Sequence, residues 1–302
     1  MKKTFAKKQS GIALVQVLII SIILMMLAIY IIQTARMQIK TTHLMQKSFQ
    51  VNLAGESAEA ELLHTLLTNK RYQNKNSDNK LVQNWNFYGQ PFSYDENTEI
   101  TIQDVSSLLS LNNTNKILST RLFEQLGYQE KDSRTFFDSL SDWKDKDDLK
   151  RLNGAEKDYY HSANIQGPRN GYLQSMNEVL NIKGSDILTT EEWHNYFTIE
   201  LTSEFNPLNA PDDILKAFLN DEQAFIDVIN LRDQGVLSTY NFYQATGIDS
   251  DERITFNTGR ILQIKIITYK QNSQFIKSFI VDLRPNSYMR TVTISNVRWD
   301  NE

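Results

Sequence analysis

The chain has 302 residues, 40% hydrophobic and 23% charged, so it is globular rather than disordered. It has no cysteine, which excludes disulfides, thiolate metal sites and a cysteine nucleophile. The formal net charge is −4, or −8 once four lysines of the leader described next are removed. That balance argues against nucleic acid as a partner, because binding phosphates needs a basic face.

Lys2, Lys3, Lys7 and Lys8 precede Gly11, and an apolar run follows from Ile12 to Ile32, interrupted only by Gln16 and Ser21. About 21 apolar residues span a bilayer as a helix, whereas a cleaved secretory signal has a shorter apolar core. The basic leader predicts a cytoplasmic N-terminus with the rest of the chain across the membrane. A leader ending in Gly directly against the apolar run resembles the class III signal of type IV pilins and type II secretion pseudopilins. The resemblance implies that a prepilin peptidase cuts between Gly11 and Ile12 and methylates the new N-terminus. About 270 residues remain beyond the membrane segment, enough for one large or two small domains.

The helical pattern continues to about Leu67, with Met37, Leu44, Met45, Phe49, Leu53, Leu62, Leu63 and Leu66 returning to one face. One helix over Ile12–Leu67 would be roughly 85 Å long. Residues 68–82 are polar and Asn-rich and read as a loop. Strands are expected at Trp85–Tyr88 and Glu99–Val105. Short helical pieces follow to about Thr190, then a strand at Tyr196–Thr202 and helices from Pro211 to about Thr246. Ile261–Tyr269, Phe275–Leu283 and Thr291–Trp299 are rich in β-branched and aromatic residues and read as strands. The expected organisation is a leader (1–11), a transmembrane helix (12–33), the rest of the helix with the first strands (34–104), an inserted α-helical block (105–250) and C-terminal strands (251–302). A short repeat, Ser-Leu-Asn at 110–112 and Pro-Leu-Asn at 207–209, each with Ile-Leu after four residues, reads as helix initiation. Asn209 would cap a helix beginning at Pro211.

The stretch Asp138–Tyr160 holds seven acids: Asp138, Asp142, Asp145, Asp147, Asp148, Glu156 and Asp158. Hard cations such as Ca²⁺ take six to eight oxygen ligands. Asp145 and Asp147, with Glu156 and Asp158 returned by a turn at Asn153-Gly154, have the composition for one ion; Asp142 and Asp148 either join them or cap helices. Five interleaved bases (Lys144, Lys146, Lys150, Arg151, Lys157) equally suit a solvated charged face. It is not an EF-hand. The four histidines (His43, His64, His161, His194) form no catalytic motif, and no nucleophile elbow or P-loop is present.

Asp142-Trp143, Asp145, Asp147-Asp148, Asn153-Gly154-Ala155-Glu156 and Tyr159-Tyr160 together resemble the signature of the type II secretion minor pseudopilin K family, also called general secretion pathway protein K. Pro168, Asn170-Gly171, Glu178-Val179-Leu180, Gly184 and Phe205–Pro211 extend the resemblance. It implies an α+β fold: a pilin-like long N-terminal transmembrane helix packed on an antiparallel sheet, with a large inserted α-helical domain. It further implies a non-enzymatic subunit of the bacterial inner membrane with a periplasmic body, at the tip of a pseudopilus beside minor pseudopilins I and J and the helices of the major pseudopilin. It also implies calcium at signature acids, here Asp145, Asp147, Glu156 and Asp158. Most pilins carry Glu at the fifth position after the cut, paired with a neighbour's ammonium. Gln16 stands there, and a subunit with none ahead of it has no use for a costly carboxylate in lipid. The alternatives are a minor pilin of a type IV pilus and a signal-anchored periplasmic hydrolase, which would need two carboxylates set apart in a cleft.

Overall fold

The computed structural model describes residues 12–270, 273–284 and 286–299. Helix α1 (Ile12–Thr68) runs unbroken for 57 residues, as the uninterrupted helical pattern predicts. It is long and apolar enough to cross a membrane. Apart from the partly covered Lys47, its side chains are exposed until Val51. From there Val51, Gly55, Ala58, Leu62 and Leu66 form a buried stripe at helical spacing. Leu53, expected on that stripe, lies off it and is exposed. The helix meets the sheet closely at Gly55, where a Cβ would fall 2.3 Å from the Phe275 ring.

After the Asn-rich loop come α2 (Lys80–Asn84), capped by the Asn79 side chain, and strands β1 (Phe92–Ser93) and β2 (Thr98–Asp104). Of the strand expected at Trp85–Tyr88 only Tyr88 pairs, as an isolated antiparallel bridge to Gln103 of β2. Trp85 instead caps α2 and is fully buried, its indole N–H donating to the Tyr72 carbonyl at 2.9 Å. The Asn86 side chain bonds the Tyr88 and Gln90 amides and the Gln90 carbonyl, curling the backbone into a turn. The aromatics that suggest a strand are core plugs.

The chain then enters the inserted block. It comprises β3 (Leu109–Ser110), α3 (Lys116–Gln125), α4 (Glu130–Lys144), α5 (Lys157–Ser162), α6 (Met176–Val179), α7 (Thr190–Tyr196), β4 (Phe197–Thr198), α8 (Asp212–Leu219), α9 (Glu222–Asp233) and α10 (Thr239–Thr246). Only two residues of the strand expected at Tyr196–Thr202 pair, parallel to β3. Beyond them the Ser110 and Asn112 side chains take the Glu200 and Ile199 carbonyls. Strands β5 (Ile261–Lys270), β6 (Ser273–Leu283) and β7 (Val292–Trp299) complete an antiparallel sheet of order β1-β2-β5-β6-β7.

Two apolar cores result. One joins α1 to the sheet through Leu62, Trp85, Ile100, Ile264, Phe275 and Val281. The other lies within the insertion, around Phe123, Phe136, Trp143, Trp193, Phe197 and Leu215. The insertion leaves from β2 and returns to its neighbour β5, where Asp104 pairs with Leu262. Its two ends are therefore adjacent, and the sheet closes as though the block were absent. Asp104, fully buried, fastens this root. Its carboxylate accepts from the Ser106 amide, the Asn206 and Asn209 side chains and the Gly259 amide. Asn209 is thus not the cap of α8: its side chain is committed to Asp104 and Thr258, and Pro211 occupies the cap position. The two repeats nevertheless adjoin, since α3 packs on α8.

Candidate functional site

The acidic stretch folds around the C-terminus of α4. Phe136, Phe137, Leu140 and Trp143 are buried in the insertion core, and the same helix carries Asp142 inward, fully buried. Asp142 accepts from the Arg151 backbone amide at 3.1 Å and from its guanidinium at 2.6 Å. The same guanidinium nitrogen reaches Asp145, which ends α4. Asp138 accepts from the Asn153 backbone amide and side chain. These carboxylates hold the loop 151–154 against the helix. Gly154 is required there, because a Cβ would sit 1.9 Å from an Asp142 oxygen that ion pairing holds fixed. Gly154→Ala is therefore expected to cost about 1–3 kcal/mol, read as a lowered thermal midpoint. An unchanged midpoint would show that the loop yields freely.

Glu156 follows that turn. It is buried, and neither carboxylate oxygen has a hydrogen-bond partner; one Asp145 oxygen is equally orphaned. Burial, then the charges of Asp142, Asp145, Asp148 and Asp147, push the Glu156 carboxyl up to about 7. Asp147 is exposed and its side chain caps the Leu149 amide. Asp148 is exposed, and Asp158 is exposed in the first turn of α5. The fold thus gathers Asp142 and Asp145 on Arg151, sets Glu156 within reach of their charges and those of Asp147 and Asp148, and leaves Asp158 facing solvent.

Among the described residues no three His, Asp or Glu side chains form a ready-made metal cage. The donor set nonetheless fits a hard cation: orphaned buried carboxylate oxygens, no thiolate, and a Glu156 carboxylate with no basic partner beside the Asp142–Arg151–Asp145 cluster. Calcium there would be held by Glu156 and Asp145, with Asp142 behind them.

Other signature residues knit this region together. The Trp143 indole N–H donates to Glu178 at 3.0 Å, and Trp143 and Tyr160 stack edge to face at 5.0 Å. Burial works against the Glu178 charge, but bonds from Arg169, the Gln174 amide and Trp143 hold its carboxyl below the ordinary value. Lys183 donates from its ammonium to the Asn153 and Gly154 carbonyls and from its amide to the Tyr160 hydroxyl. Arg151 and Lys183 are the members that reading by acid spacing does not find. Arg151 looks from the sequence like one solvated base among five.

At the other end of the molecule, Ile12 begins α1, Gln16 lies exposed one turn further on, and Gly11 falls outside the described residues. Met37, Leu44, Met45 and Phe49 are all more than half exposed on the part of α1 that precedes the sheet.

A long apolar helix on an antiparallel sheet, interrupted by a helical block with its own core, defines a pilin-like fold with a large insertion. Residues 100–199 match the family of the type II secretion system (T2SS) protein K. The fold is similar to a chain in the crystal structure of the GspK-GspI-GspJ complex from the enterotoxigenic Escherichia coli type 2 secretion system. That chain is 13% identical, with a TM-score of 0.54 over 88% of this chain and 100% of that one. No curated protein matches. The protein K match lies in β2 and the first part of the inserted block, and the likeness in fold extends over most of the chain.

Proposed function

We propose that this subunit sits at the tip of the pseudopilus, assembles there with minor pseudopilins I and J, and serves protein secretion through the outer membrane without catalysing a reaction. The observation that carries this is the protein K match over residues 100–199, which takes in the first part of the inserted block. The solved structure of similar fold is itself a complex of GspK with GspI and GspJ. Gln16 supports the tip position, being neutral where most pilins need a charged pair. The uncovered apolar face of α1 supports helix packing against neighbouring subunits, including the major pseudopilin. In this reading the helix lies in the inner membrane, the body is periplasmic, and calcium stabilises the inserted block through Asp145 and Glu156, with Asp142, Asp147 and Asp148 as further candidates; Asp158, expected among the ligands, faces away from them.

Recovery of the tip complex from membranes tests the reading. Burying a leucine is worth about 1.5–3 kcal/mol, so Leu44→Asp should weaken recovery with I and J by about tenfold or more. The body should still fold, because Leu44 touches neither core. Full recovery of the complex would sink the tip-packing reading.

Processing gives an independent expectation. The protein taken from membranes should begin with N-methyl-isoleucine at Ile12. Gly11→Val should leave a full-length precursor and abolish secretion, since a branched side chain blocks the peptidase at the bond it cuts. An intact Met1 on the functional protein would favour a simple anchor.

A further inference from the structure

A cavity of about 690 Å³ lies where the C-terminal end of α1 and the loop after it face α9, α10 and the returning segment 256–258. It is unrelated to the acidic stretch. Its charged lining residues are Lys70, Arg71 and Arg232; no Asp, Glu or His is among the described residues that line it. An all-basic cavity is unexpected in a chain whose net charge is negative.

The two arginines are incompletely satisfied. Arg232 is almost wholly buried. Its terminal nitrogens donate to Asp212 and to the Pro207 and Leu208 carbonyls, and its plane lies over the Tyr88 ring, 4.7 Å from the centroid. Its Nε–H is buried with no acceptor, and so is one terminal nitrogen of Arg71. Burial disfavours both guanidinium charges; Asp104 and Asp212 only partly offset this. A buried guanidinium N–H without an acceptor is costly, and an oxyanion is the group that relieves it. The size is that of a small-ligand site. Tyr72, Phe87, Tyr88 and Phe256 add aromatic wall.

We infer that this cavity binds a carboxylate attached to an apolar or aromatic group, received by Arg71 from the body side and Arg232 from the inserted block. A guanidinium fork suits the two oxygens of a carboxylate, and the aromatic wall takes up the apolar part. The ligand bridges the two units and fastens the insertion to the pilin-like body. Its source is either the free C-terminus of a peptide or a small aromatic acid.

Calorimetric titration of the full chain in detergent tests this, with N-acetyl-phenylalanine, its carboxamide and a hexapeptide ending in phenylalanine. Both carboxylates are expected to bind saturably, and the carboxamide about tenfold more weakly, as loss of a charge-assisted hydrogen bond implies. A tighter hexapeptide marks a peptide terminus as the source; equal affinities mark the small acid. Arg71→Gln and Arg232→Gln should each weaken binding by about tenfold or more. Should Arg232→Gln fail to fold, Arg71→Gln decides alone, since Arg71 is half-buried on a loop. No saturable binding of either carboxylate, equal binding of acid and amide, or unchanged affinity in Arg71→Gln would overturn the inference.

Discussion

Glu156→Gln is expected to stabilise the protein in chelator at pH 8 and to abolish the stabilisation that calcium gives. Both effects follow from a carboxylate whose two oxygens are buried without partners. The Glu156 carboxyl titrates near 7 in the folded chain, against an ordinary 4.5. Between those values the folded state holds a proton that the unfolded state has released. Stability contributed by this group therefore falls as pH rises from about 4.5 to about 7, and the full penalty persists above. A neutral amide removes that penalty. A divalent cation removes it differently, converting the repulsion among Glu156, Asp145 and Asp142 into a cross-link between α4 and the start of α5. Binding only the native state adds about 2.7 kcal/mol at a hundredfold excess over the dissociation constant. Wild type in calcium should thus unfold at a higher temperature than in chelator, and the difference should vanish in Glu156→Gln. Equal wild-type midpoints in the two media, with no calcium in the purified protein, would return the stretch to a solvated charged surface.

What could be read from the sequence was what local pattern encodes. The long helix α1 and strand β2 follow a helical or alternating period, and the three C-terminal strands are runs of eight or more residues rich in β-branched and aromatic side chains. Short elements fail because tertiary partners decide them. Trp85–Tyr88 has strand composition, but Asn86 finds local backbone partners and Trp85 finds the core. Asn209 has the identity of a cap, but Asp104, more than a hundred residues away in sequence, claims it. In the candidate site, counting acids finds the stretch but not its geometry. Asp142 is the buried centre, Asp158 points to solvent, and Arg151 reaches Asp142 from the surface. No spacing rule separates those roles, because they depend on which face of α4 the insertion core occupies.

The junction of α1 with the sheet should be the most sensitive place outside the insertion. Lys277 on β6 is nearly buried, and its ammonium contacts Glu59 of α1 at 2.5 Å and Glu56 at 3.3 Å. Glu59 is as buried as the lysine, each side chain only 9% exposed. The same ammonium lies 4.5 Å from the centre of the Trp299 ring on β7, so one charge ties the helix, β6 and the edge strand together. Removing one partner of a buried pair strands the other charge, at about 3–5 kcal/mol. Lys277→Met should therefore lower the thermal midpoint by roughly 10 °C, at about 2–4 °C per kcal/mol for a body of this size. Glu59→Gln alone should cost less, because Lys277 keeps the half-exposed Glu56. The double variant Lys277→Met with Glu59→Gln should recover much of the loss, since no ionised group then remains buried. Additive losses in that cycle would mean that the pair does not couple the helix to the sheet. Strong coupling would place the anchorage of the membrane helix in this one ion pair and the Gly55–Phe275 contact beside it.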